Sequence, residues 1–335
     1  MLRAPKVAAV LAAAALALSA CASDSGTADP AASDAASNDA ASKAYTIGIS
    51  QIVSHPALDG AVEGFKKGLA DKGFTNVTYD VQNAQGDIAT AASIAQKFAN
   101  DGLDLVLGVA TPTSQAVVKA VTDTPIVFTA VTDPVGAGLV DNAEAPGGNT
   151  TGVSDLLPMG PTLELITRVL PDIKTLGVMY NAGESNSVFL IEEQKKAAAA
   201  VGIEVVEATA SNSSEVQAAA DSLVGRVDAI SVLTDNTVVS ALESVVKVAQ
   251  ENEIPLFAGD TDSVQRGAVA AYAFDYADLG VQAGEMAAAI LGGQAISATP
   301  VEYAETLQLS INADAAAKSG VTLPEDVVTE AVNKF

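Results

Sequence analysis

Two periods of hydrophobicity alternate along most of this chain. Short unbroken runs of Val, Ile, Leu and Ala read as buried strands. The longer stretches between them, apolar at every third or fourth position, read as helices packed on those strands. Strands are expected at residues 45–50, 76–81, 103–109 and 125–129, with helices at 56–72, from Gly86-Asp87 to 99, and at 112–121. In the first of these helices Ala57, Ala61, Phe65 and Leu69 share a face. Residues 150–153 read as a crossing into a second lobe. Helices at 161–169, 187–201, 214–223 and 236–252 and strands at 175–180, 203–208, 228–233, 255–258 and 268–273 follow there. A helix at 279–291 is assigned back to the first lobe, and a last strand at 307–311 lies near the hinge. Regular alternation of strand and helix implies parallel sheets.

The pattern also repeats. Residues 103–135 (LDLVLGVATPTSQAVVKAVTDTPIVFTAVTDPV) and 227–264 (VDAISVLTDNTVVSALESVVKVAQENEIPLFAGDTDSV) both run Asp, apolar strand, Thr, helix, Pro, apolar strand, Thr-Asp. Thr111 pairs with Thr234, Pro125 with Pro255 and Asp133 with Asp262. The expected fold class is therefore α/β: two similar Rossmann-like lobes with parallel sheets, joined by a hinge. Lobe one takes residues 45–154 and 276–302, lobe two 155–275 and 303–335. Ligands of open α/β sheets sit beyond the carboxyl ends of the strands, so two facing lobes make a polar cleft.

The N-terminus departs from both periods. Arg3 and Lys6 precede an uncharged apolar run at 7–18, which spans roughly 18 Å as a helix. That is short of the ~30 Å of a membrane core, so residues 1–20 read as a secretory signal. Leu18-Ser19-Ala20-Cys21 resembles a bacterial lipobox, which implies cleavage before Cys21 and lipid on its sulfur and new amino group. Cys21 is the sole cysteine, so no disulfide can form within the chain. Residues 22–44, almost all Ala, Ser and Asp, cannot build a core and read as a disordered tether reaching about 25–30 Å. A lipid and a tether mean attachment to a membrane rather than spanning it.

Composition narrows the chemistry. Of 335 residues, 41 are acidic and 17 are Lys or Arg, a net charge of −24 without any basic cluster, which argues against nucleic acid. One histidine and no cysteine after Cys21 leave no His/Cys metal site. No P-loop or nucleophile elbow appears, and Gly136-Ala137-Gly138 lacks the remainder of a dinucleotide fingerprint. No enzyme activity and no cofactor are expected.

What the chain offers instead is recognition. Thr111, Thr113 and Ser114 end a strand and open a helix, where hydroxyls and free N–H groups suit a carboxylate. Asn186 and Ser187, in NAGESNS, and Asp235 and Asn236, in TDNT, form matching turns in the second lobe. Asp133 and Asp262 are the expected partners of a ligand ammonium. Gln51 and His55 lie on the first strand-to-helix loop, and Tyr180, Phe274 and Tyr276 stand near strand ends or crossings.

GISQIVSHPALD, NAQGD, ATPTSQA, PIVFTAVTDPVGAGLV, GGNTTGVSD, NSSEVQ, TDNTVVS and FDYADLG closely resemble the ABC-transporter substrate-binding lipoprotein family that includes tryptophan- and tyrosine-uptake proteins. The resemblance runs from Tyr45 to about Val321. It implies a type I periplasmic-binding-protein fold with a three-strand hinge, a partner permease and ATPase, and no catalysis. The expected ligand is a zwitterion, an aromatic or other apolar amino acid, bound by a monomer on the outer face of the cytoplasmic membrane. A sensor that reports to a membrane receptor, and a nucleoside or sugar receptor of the same fold, are the alternatives.

Overall fold

The computed structural model describes residues 43–304 and 306–335. The apolar run at 7–18, Cys21 and all but the last two residues of the 22–44 stretch lie outside the described residues. Among those described, no helix is long and apolar enough to cross a membrane.

The first part of the chain runs β1 (Tyr45–Gln51), α1 (Pro56–Asp71), β2 (Val77–Asn83), α2 (Ile88–Phe98), β3 (Leu105–Val109), α3 (Thr111–Ala120), β4 (Ile126–Val131) and β5 (Thr150–Ser154). It continues with α4 (Met159–Val169), β6 (Thr175–Tyr180), α5 (Ser185–Ala200), β7 (Glu204–Thr209), α6 (Val216–Asp221), β8 (Ala229–Val232), α7 (Asn236–Ser240), α8 (Leu242–Glu251), β9 (Leu256–Ala258), α9 (Thr261–Gln265) and β10 (Ala270–Ala273). Last come α10 (Tyr276–Leu291), β11 (Glu302–Tyr303), β12 (Gln308–Ile311), α11 (Ala313–Lys318), α12 (Glu325–Glu330) and β13 (Asn333–Lys334).

Two sheets result. One has six strands in the order β11-β5-β4-β3-β1-β2, the other seven in the order β13-β12-β10-β9-β8-β6-β7. The orders β2-β1-β3-β4-β5 and β7-β6-β8-β9-β10 are the same path drawn twice, so the sequence repeat is a repeat of topology. Each sheet reverses its winding beside its first strand, which opens a crevice at the carboxyl ends. β1, β3 and β4 are buried along almost their whole length, as central parallel strands must be, and Phe65, Phe98 and Phe128 fill the surrounding layers.

The structure departs from the expected pattern in three places. β12 runs antiparallel to β10, because the chain re-enters this sheet directly from the first lobe without a crossover helix. The helix expected over 236–252 breaks at Ala241, whose N–H bonds Val238 O, and the break lets Val238, Val239, Leu242 and Val245 all reach the core. The short elements α9, α11, α12, β11 and β13 carry too few residues to show a period.

α10 follows β10 of the second sheet yet packs on α1 of the first lobe. Glycines make that contact. A Cβ on Gly64 would lie 2.1 Å from Ala277 O, one on Gly280 2.1 Å from Ala61 O, and one on Gly284 2.3 Å from Phe65 O. The two backbones touch with no side chain between them, which fixes how the N-terminal ends of both helices stand relative to each other.

Gly64→Ala is expected to destabilise the protein by about 1–3 kcal/mol through overpacking. Gly60→Ala is the control: its Cβ would find nothing nearer than 3.7 Å, so helix propensity should make it neutral or stabilising by up to about 1 kcal/mol. Urea midpoints of the two variants measure the difference, and equal midpoints would mean the helices do not meet in this way.

Candidate functional site

At the carboxyl ends of both sheets lies a cavity of about 330 Å3, mouth included. The first lobe contributes His55 and Thr132, the second Asn186, Asp235 and Asp260. Asp155, directly after β5, and Tyr276, which opens α10, enter from the crossings between the lobes. Ala57, Leu58, Ala130 and Val239 add apolar wall.

Asp155 is 3 % exposed, and among the described residues no cation pairs with it. Its Oδ2 accepts from Tyr276 OH at 2.6 Å and its Oδ1 from Thr132 Oγ1 at 3.1 Å. Burial pushes its carboxyl up from the ordinary range, against the pull of those two hydroxyls. Burial, and next the nearby Asp155 charge, push the Tyr276 phenol well up. A buried carboxylate whose donors are two neutral hydroxyls lacks a counter-charge.

Asp235 is the N-cap of α7. It accepts from Val238 N at 2.7 Å, Asn181 N at 2.6 Å and Ser187 Oγ at 2.6 Å. Burial first and the Glu184 charge second push it up to about 7. Glu184 itself is buried and held by Asn236 Nδ2 at 2.5 Å, Thr237 N at 3.0 Å and Thr237 Oγ1 at 2.8 Å. Asp260 caps α9 through Ser263 N at 2.7 Å and Ser263 Oγ at 2.5 Å. Both caps are spoken for by backbone, whereas Asp155 is not.

His55, the only histidine, is the N-cap of α1; Leu58 N donates to its Nδ1 at 3.5 Å. Burial depresses the imidazole to about 4, against the Asp260 carboxylate, which favours the charged form.

Among the residues expected at the site, His55, Asn186, Asp235 and Asn236 meet at the cavity. Ser187 stands behind it on Asp235. Gln51 supports the loop, donating to Val53 O at 2.9 Å and Asp59 Oδ1 at 2.7 Å. Thr111, Thr113 and Ser114 do not reach the wall. The Thr113 and Ser114 hydroxyls bond Val109 O at 2.5 Å and Ala110 O at 2.8 Å, where α3 closes on Gly108. Asp133 is not brought to the cavity either: it accepts the N–H of Gly136 at 2.9 Å and shapes its own turn. Asp262 is half-buried outside the wall, with its carboxyl raised to about 6 by burial, then by the Asp260 and Asp275 charges. In both repeats a near neighbour, Thr132 or Asp260, faces the ligand space instead. Asp155 and Asp260 were not expected. Their signal was available, since each directly follows or nearly follows a strand, but a single strand-end acid looks like any turn-forming Asp. Of the three aromatics noted, Tyr276 alone lines the cavity; Tyr180 donates to Glu207 Oε2 at 2.6 Å.

Comparison with known proteins places this geometry. Residues 46–334 match the family model described as ABC transporter substrate binding protein. A tyrosine-binding protein of Clostridioides difficile (strain R20291) is 46% identical over 275 residues, covering 81% of this chain and 80% of that protein. Among solved structures, a conserved domain protein of Vibrio cholerae is 45% identical with a TM-score of 0.86, covering 88% of this chain and all of that one. A Streptococcus pneumonia domain in complex with L-Trp is 37% identical with a TM-score of 0.85, over 88% of this chain and 100% of the other. A ligand-free, open substrate-binding protein with adhesive properties from Clostridium difficile is 41% identical, yet its TM-score is 0.66 over 87% and 99% of the two chains. The chain thus superposes better on the tryptophan complex than on the open form.

Proton linkage gives a test of the buried acids. Asp235, at about 7 when folded, holds a proton that the unfolded chain releases near 4, and Asp155 is shifted in the same direction. The folded state therefore binds more protons in this window, and stability falls as pH rises, by up to ~1.4 kcal/mol per pH unit for each proton. His55 acts in the opposite sense only below about 6.5. Urea unfolding of the ligand-free protein is expected to show greater stability at pH 6.5 than at pH 8. Asp235→Asn should flatten that slope, and a slope left unchanged would contradict the burial of this charge.

Proposed function

We propose that this chain, which belongs to the family of ABC transporter substrate-binding proteins, is the extracytoplasmic receptor of an importer for an aromatic L-amino acid. The chain is not an enzyme: the family binds substrate and leaves catalysis to other subunits. The observation that carries the reading is Asp155, a buried carboxylate at the hinge with no cation beside it among the described residues. An α-ammonium entering the cavity supplies the missing charge, turning an unfavourable burial into a charge-assisted contact. The apolar wall of Ala57, Leu58, Ala130 and Val239 suits an apolar side chain beside the ammonium. The aromatic choice is supported by the tyrosine-binding relative and by the tryptophan-bound neighbour.

Because Asp155 bonds Tyr276 and each belongs to a crossing between lobes, a ligand on Asp155 favours the closed arrangement and is retained by it. A permease and an ATPase of the importer are the partners of that closed form. Lipid on Cys21 would hold the receptor at the membrane, with the 22–44 stretch as its tether.

In a thermal-shift panel L-tyrosine or L-tryptophan should raise the melting temperature by several degrees, the stabilisation being ~2.7 kcal/mol at a hundredfold excess over the dissociation constant. Sugars and nucleosides should not. Asp155→Asn, which keeps an acceptor for one hydroxyl, is expected to weaken amino-acid binding by ~2–5 kcal/mol. A panel in which only a sugar or a nucleoside stabilises the protein would sink the reading. For the anchor, Cys21→Ala should leave the protein unprocessed or release it from membranes. Normal processing with membrane retention would remove the lipid from the proposal.

A further inference from the structure

The ammonium end of such a ligand has several acids to choose from, but the same wall must also hold a carboxylate. Where the turn at Thr111 was expected to do so, the Thr113 and Ser114 hydroxyls bond their own backbone, Thr111 Oγ1 is buried without a partner among the described residues, and none of the three lines the cavity. The second lobe is unsuited, since Asp235, Asp260 and the buried Glu184 already occupy its short helix ends. Three 16-residue helices start at the wall, α1, α5 and α10. α10 is capped by Asp275 and α5 opens beside the carboxylates of Glu184 and Asp235, so α1 is the one whose start is not held by an acid.

That terminus has an unusual inventory. Pro56 at the first helical position has no N–H. Leu58 N is taken by His55 Nδ1 and Asp59 N by His55 O, while Ala57 N has no partner among the described residues. His55 is 8 % exposed, lines the cavity, and its Nε2 has no hydrogen-bond partner among the described residues. Since Nδ1 accepts a backbone N–H, the neutral ring carries its proton on Nε2. Burial keeps the ring neutral, with Asp260, Arg266 and Asp59 as the charges that face it and Asp155 and Asp235 across the cavity. The rest of the wall is rich in carboxylates, and two of its buried polar atoms, Asn186 Oδ1 and Thr234 Oγ1, have no partner among the described residues.

We infer that the N-terminus of α1 is the carboxylate subsite, with His55 Nε2–H and Ala57 N–H as its donors, and that His55 determines specificity for amino acids over amines. The assignment rests on the functional reading above. It orients the ligand: carboxylate toward α1 of the first lobe, ammonium toward Asp155 at the hinge. The positive end of a helix favours an anion there, and a neutral donor adds direction without adding a charge that the nearby acids would neutralise.

His55→Asn separates the two roles of the residue. Asn remains a good N-cap, so α1 keeps its start, but its short amide cannot reach as Nε2–H does. Titration calorimetry of the purified full chain with L-tyrosine and L-tryptophan is paired with thermal shifts for tyramine and tryptamine, which lack the carboxylate. The expected result is a loss of tenfold or more for the amino acids, an unchanged response to the amines, and a melting temperature of the ligand-free variant within a few degrees of the parent. If neither amine registers with parent or variant, the amino-acid loss against an unchanged melting temperature still decides in favour. An unchanged amino-acid affinity, or an equal loss for acid and amine, overturns the subsite. If the parent protein binds neither amino acid, the functional reading fails and this assignment fails with it. A parent that binds normally beside an unaffected variant removes this assignment alone.

Discussion

A carboxylate taken out of water must bind a proton or meet a positive charge, because the ionised form loses its hydration and gains nothing in return. Asp155 is in that position between the lobes, and Asp235 shares the predicament one loop away. Each keeps hydrogen-bond donors but, among the described residues, no cation. A closed cleft built around such groups is stable empty only at some cost, and that cost is what a cationic group on a ligand relieves.

The architecture delivers these groups by repeating one topology. Both sheets wind in the same order, so both present their strand ends to a common space, and every polar group lining the cavity lies between a strand's end and the first turn of the helix that follows. The lobes are nevertheless unlike at the wall. The second offers helices capped by its own acids; the first offers α1, capped by a histidine that gives its proton to the cavity side. In the proposed reading, a ligand with two opposite charges meets two different walls, and its orientation follows.

Rigidity in the first lobe supports that asymmetry. The glycine contact between α1 and α10 sets His55 and Tyr276, at the starts of these helices, at a fixed separation. Tyr276 in turn holds Asp155, the residue that leaves the first sheet. Movement about the hinge thus acts on a wall whose donors and acceptors are already placed, which is the preorganisation that spares a ligand the ordering of its own site.

Period and repetition were enough to read the fold from sequence. The central strands are buried on both faces and the helices on one, and those two burial patterns are written directly in Val, Ile, Leu and Ala. The repeat around Thr111 and Thr234 predicted paired lobes with polar strand ends, and His55, Asn186, Asp235 and Asn236 could be chosen because a turn after a strand must face the cleft. Which neighbour in each turn points inward was not legible. Asp133 and Thr132 differ by one position, yet one bonds its own loop and the other reaches Asp155. A shift of one or two residues turns a side chain from cavity to solvent, and local composition carries no record of that rotation. It is decided where the chain meets distant elements: Asp155 and Tyr276 stand 121 residues apart in sequence and become partners because both crossings converge at the hinge.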